Sequence, residues 1–143
     1  MLVIDDRTLL LVLADRAPNE LQRSATASEV YTTPGWYYRL ARAVHDEAFT
    51  GSLSRVFEGL PRDVRERVTG ALDQLPAEIG ILSARVLVPV MVQLGDVGHL
   101  NLLNAEAVAS ALIVDGRLRV TVAAERLGSA CSAVGVDLDV VPI

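Results

Sequence analysis

The chain has no lysine: all thirteen basic residues among its 143 are arginine. That absence suits the codon bias of a high-GC bacterium and carries no chemistry of its own. The one cysteine, Cys131, excludes a disulfide within the chain, and its place on an apolar helical stripe suits core packing in a reducing compartment. Aromatics make up only 4% of the residues, which leaves the core to Leu, Val and Ala. No apolar run approaches the roughly 18 residues of a membrane span. Met1-Leu2-Val3-Ile4 meets Asp5 and Asp6 too soon to be a signal-peptide core, so the expected location is cytoplasmic, with no membrane partner. Positive charge is also scarce. A net charge of −5 and a pI near 4.9 argue against a general nucleic-acid surface, because phosphate binding needs clustered cations; RNA is left only a local groove. His45 and His99 have no companions at zinc spacing, no Gly-rich phosphate loop precedes a helix, and no serine elbow occurs.

What is present is a regular alternation of apolar periods. The stretch from Leu100 to Leu127 joins a helix, with Leu103, Val108, Ala111, Leu112 and Val114 apolar, to a strand carrying Leu118, Val120 and Val122. Asp115-Gly116 breaks the pattern between them, and helical spacing resumes over Ala124 to Val134 through Leu127, Ala130 and Cys131. A strand between two helices implies a parallel sheet with helices on its faces. Leu2-Val3-Ile4 is a short buried strand that runs into a helix bearing Leu9, Leu10, Val12 and Leu13, with Asp5 at its carboxyl end and Asp6 placed to cap the helix. Leu21 to Ala27 suits a helical turn or two, and Glu29 to Thr32 a second strand. Thr33 caps the next helix, with Pro34 in its first turn, Trp36, Leu40, Ala43 and Val44 inward, and Arg39, Arg42 and Asp46 outward.

Pro61 opens a surface helix buried through Val64, Val68, Ala71, Leu72 and Leu75 and closed by Pro76. Ile79 to Ile81 suits an edge strand, Ser83 an N-cap, and Ala84 to Leu94 an almost wholly apolar segment that Pro89 should kink or interrupt. Its second apolar side has no place in a monomer, which predicts a homodimer through residues 84–94. Val136 to Val140 alternates as a sheet-edge strand should, after Gly135 stops the last helix. The expected fold is one domain, residues 1–143, of the α/β class: three layers, α/β/α, around a central parallel sheet of four or five short strands.

Three segments, VIDDRTLLLVLA from Val3, LNLLNAEAVASALIVDGRLRVT from Leu100 and the closing ERLGSACSAVGVDLDVV, together resemble a PIN domain, the fold of many bacterial toxin ribonucleases. Residues 45 to 85 lie outside the resemblance as helical filler. It implies a carboxylate cluster at the strand ends holding Mg²⁺ or Mn²⁺, hard ions that need oxygen ligands and that turn bound water into a nucleophile. Asp5 matches the first acid of that cluster. The second belongs early in the helix after the second strand, where Pro34 to Leu40 contains no carboxylate; Asn104 stands for the third and Ala123 for the fourth.

Neighbouring acids are poor substitutes. Glu106 is about 200° from Asn104 around a helix of 3.6 residues per turn, and Glu125 falls beyond the strand. Asn104 offers only a neutral oxygen, or a hydrogen bond at its helix start. Of Trp36-Tyr37-Tyr38-Arg39, Trp36 suits the core, while Tyr37 or Tyr38, and Arg39, are placed to line the cleft. The resulting expectation is a degenerate PIN-like domain: a binding or regulatory module with a vestigial site at Asp5 and Asn104, weak or inactive as a nuclease, and with no cofactor. The alternative is a Mg- or Mn-dependent endoribonuclease of the toxin–antitoxin toxin type, with Asp5 on the metal. The resemblance also implies an antitoxin-like protein partner.

Overall fold

A computed structural model describes residues 1–46, 48 and 51–143. Five parallel strands form one sheet: β1 (Leu2–Ile4), β2 (Val30–Thr32), β3 (Ile79–Ile81), β4 (Arg117–Val120) and β5 (Leu138–Val140), in the order β3-β2-β1-β4-β5. The strands are short, and Val3 faces one side while Leu2 and Ile4 face the other. On the Ile4 side lie α1 (Asp6–Leu13), α2 (Asn19–Thr26), α3 (Pro34–His45), α4 (Ser52–Glu58) and α5 (Arg62–Asp73); on the Val3 side lie α6 (Ala84–Leu94), α7 (Leu102–Ile113) and α8 (Glu125–Val134). This is the three-layer α/β/α arrangement expected from the alternating periods, with two apolar cores separated by the sheet.

The local signals explain most boundaries. Thr33 Oγ1 accepts from Trp36 N at 3.1 Å and Pro34 opens α3, so that Trp36, Leu40 and Ala43 turn inward. Gly135 closes α8 at φ +76, in the left-handed region that a Cβ disfavours. Pro89 does not interrupt its segment: α6 runs through it as one helix, the proline lying on the exposed side. Ser83 holds the N-cap position of α6 without a side-chain bond. No apolar period or cap singled out α4 within the helical filler expected over residues 45 to 85; it is a seven-residue helix anchored by Leu53 and Ser54.

On β4, Leu118 and Val120 are buried under α7 and α8, whereas Arg117 points to the opposite face and pairs with Asp139 of β5 at 3.6 Å. The sheet order runs outward from β1 in both directions, with β2 on one side and β4 on the other. Chain direction out of the sheet therefore diverges at the carboxyl ends of β1 and β4, where doubly wound sheets leave a crevice.

Candidate functional site

That crevice is a cleft of about 340 Å³ lined by residues that follow β1 (Asp5, Asp6, Arg7) and β4 (Thr121, Val122, Ala124), by Trp36 and Arg39 of α3, and by Asn101, Leu103 and Asn104 at the start of α7. The cleft exists because α1 and α8 leave the sheet to opposite sides, and α3 and α7 close it laterally.

Asp5 occupies the N-cap position of α1, with extended backbone (φ −77, ψ 176). Its Oδ1 accepts from Thr8 N at 2.9 Å and Thr8 Oγ1 at 2.7 Å; its Oδ2 accepts from Thr121 N at 2.7 Å and Thr121 Oγ1 at 2.8 Å. A carboxylate has about four lone-pair positions, and all four are directed at protein donors. Asp5 is 5% exposed. Its carboxylate bridges the start of α1 to the end of β4, and the strand-end bonding of free helix amides is extended by a second threonine from across the sheet.

Asp6 is not the cap. As the first residue of α1 it turns into the cleft, its Oδ1 accepting from Arg7 N at 2.9 Å. Oδ2 is buried without a hydrogen bond, and Arg39 Nη1 stands 3.5 Å away as an ion pair. Burial pushes the Asp6 carboxyl above its ordinary value against the pull of Arg39, the Asp5 charge adds to the rise, and the Arg7 amide and guanidinium oppose it. Two adjacent acids thus have opposite situations: one saturated, one short of donors.

The helix-start hydrogen bond expected of Asn104 belongs to Asn101, whose Oδ1 accepts from Asn104 N at 2.9 Å. That leaves the Asn104 side chain to line the cleft beside the two acids. Glu106 points away from it and accepts from Gly35 N at 2.8 Å, capping the first turn of α3. A Cβ on Gly35 would come within 2.7 Å of that carboxylate and 2.6 Å of Leu103 Cδ2, so glycine is what admits Glu106. Ala123 and Glu125 are both exposed, outside the residues lining the cleft.

No known protein family's model matches the chain, and no curated protein resembles it at a significant level.

The aromatic cluster divides differently from expectation. Neither Tyr37 nor Tyr38 lines the cleft: Tyr37 donates its hydroxyl to Leu72 O on α5, and Tyr38, 63% exposed, flanks an apolar depression with Pro34, Ala41 and Ile81. Helical rotation of about 100° per residue sends Trp36 and Arg39 to the cleft and the tyrosines elsewhere. Trp36, expected as core, is buried and also forms part of the cleft wall. Among the described residues, no three His, Cys, Asp or Glu side chains are grouped as a metal would require. His45 instead lies 3.2 Å from Asp73 on α5.

Proposed function

We propose that the protein is a degenerate PIN-like domain that binds rather than cuts, a recognition or regulatory module working through the cleft at the ends of β1 and β4. The observation that carries this reading is the saturation of Asp5. A metal ligand must keep a lone pair for the ion, and here each of the four positions is directed at a threonine donor. Where the PIN resemblance expects further acids, Pro34 to Leu40 contains no carboxylate, and the other two positions hold Asn104 and Ala123. Asn104 adds only a neutral oxygen, and Asp6 is paired with Arg39; such a set does not suit a hard divalent ion.

The test is Mn²⁺ titration by calorimetry alongside RNA cleavage by wild type and Asp5→Ala. The reading requires no saturable micromolar Mn²⁺ binding and no cleavage that depends on Asp5. Metal binding with Asp5-dependent cleavage would instead establish the endoribonuclease.

The same reading includes a protein partner of the antitoxin kind and a homodimer through residues 84–94. The second is supported by the outer side of α6, where Val88 and Val92, one turn apart, are 50% and 71% exposed while Leu87 and Leu94 are buried. Aliphatic side chains concentrated on one side of a helix are better accommodated against a second copy than in water.

A further inference from the structure

The cleft has a second property that Asp5 does not explain. Its walls contain two carboxylates and two guanidiniums, those of Asp5, Asp6, Arg7 and Arg39, and only Asp5 has its full set of hydrogen-bond donors. The Asp6 side chain is nine-tenths buried, yet its Oδ2 has no hydrogen bond. A buried charged acceptor without a donor is costly, and the cost is removed when a donor arrives. Arg39 lies over this oxygen at 3.5 Å, and its side chain is half exposed, so it is free to swing outward and meet an incoming group. With two charges of each sign, the cleft favours neither a bare cation nor a bare anion. Polar groups of opposite charge on one small molecule satisfy both pairs. Trp36, Leu103, Val120 and Leu127 form the apolar part of the remaining wall, beside the polar Asn101 and Asn104.

We propose that this cleft takes a small zwitterion, an α-amino acid with an apolar side chain, whose ammonium donates to Asp6 Oδ2 while its carboxylate accepts from Arg39. The side chain rests against Trp36 and Leu127. The raised Asp6 carboxyl, caused first by burial, agrees with an acceptor that has the Arg39 charge nearby but no hydrogen-bond donor on Oδ2. The proposal rests on the reading of the cleft as a binding site and supplies its ligand class.

Trp36 is the single tryptophan of the chain, so its fluorescence reports on the cleft directly. Wild-type protein is titrated with L-phenylalanine and L-leucine, then with phenethylamine and 3-phenylpropanoate, which lack the carboxylate and the ammonium respectively; calorimetry repeats each titration. Phenylalanine should bind saturably, and each truncated compound at least about tenfold more weakly, a loss of about 1.4 kcal/mol. Asp6→Asn should abolish the advantage of phenylalanine over phenylpropanoate, and Arg39→Gln its advantage over phenethylamine, with circular dichroism confirming that both variants fold. Equal affinity for an amino acid and either truncated compound overturns the proposal, as does the absence of binding by both amino acids. The Mn²⁺ and RNA assays decide the broader reading separately: amino-acid binding can fail while cleavage remains absent, and Asp5-dependent cleavage refutes the broader reading whatever the amino acids do.

Discussion

Replacing Asp5 by alanine distinguishes a strut from a ligand, because the two roles make opposite predictions for stability. The substitution strands two backbone amides and two hydroxyls, from Thr8 and Thr121, that now donate to the carboxylate at 2.7–2.9 Å. Hydrogen bonds to a charged group contribute about 1.5–3 kcal/mol each, but their sum overstates the loss, since desolvating Asp5 itself opposes folding and water can enter from the cleft. Removing one partner of a buried charged network costs about 3–5 kcal/mol, and the lost helix cap, typically about 1 kcal/mol, is contained in that figure. The expected destabilisation is therefore about 3–5 kcal/mol, a large share of the 5–15 kcal/mol of a typical domain. Urea unfolding followed by far-UV circular dichroism measures it through the shift in midpoint at constant slope. In a thermal scan it appears as a fall of roughly 10–15 °C at about 3 °C per kcal/mol. Thr8→Val and Thr121→Val each delete one hydroxyl donor and should cost about 1 kcal/mol. Carboxylates kept for a ligand are usually held at a cost to the fold, so removing one stabilises or is neutral. An Asp5→Ala protein within about 1 kcal/mol of wild type would refute the strut and return Asp5 to a metal.

Other expectations follow from the same geometry. The Asp6 carboxyl is raised above 3.8 in the folded chain, so between that value and its folded value the native state holds a proton that the unfolded chain has lost; by linkage, this group's contribution to stability falls as pH rises through the window and is recovered in acid. Asp6→Asn should accordingly flatten this part of the pH profile in urea titrations, and an unchanged profile would contradict the assignment. Gly35→Ala should cost about 1–2 kcal/mol by displacing Glu106 and Leu103, and it should add little once Glu106→Ala has removed the cap. Gly135→Ala, at φ +76, should cost about 1 kcal/mol in the same assay. Val88→Glu with Val92→Glu should convert a dimer to a folded monomer in sedimentation velocity; a wild type that is already monomeric at tens of micromolar would rule out the α6 interface.

Much of the architecture was legible because it depends on period and punctuation, which are local properties. Leu2-Val3-Ile4, Ile79 to Ile81 and the alternating Val136 to Val140 identified strands, two of them correctly as edges. Thr33-Pro34 and Gly135 marked helix ends through backbone geometry that neighbouring residues impose on themselves. The α4 helix escaped because seven residues cannot nucleate a helix from propensity alone; burial of Leu53 against the other helices sustains it.

The site was legible in its members but not in their roles. Asp5 and Asp6 are chemically identical neighbours, and local sequence allowed either to cap α1. The choice was made 116 residues away, where Thr121 arrives at the end of β4 and completes the ring of donors around Asp5. That contact leaves Asp6 to face the cleft beneath Arg39. The rotation of α3, set by the burial of Trp36 and Leu40, likewise decided that an arginine rather than a tyrosine would stand over it. Sequence determined which groups were available at each strand end. Only the closing of the sheet, which brings distant donors within 3 Å, determined which carboxylate was satisfied and which was left open.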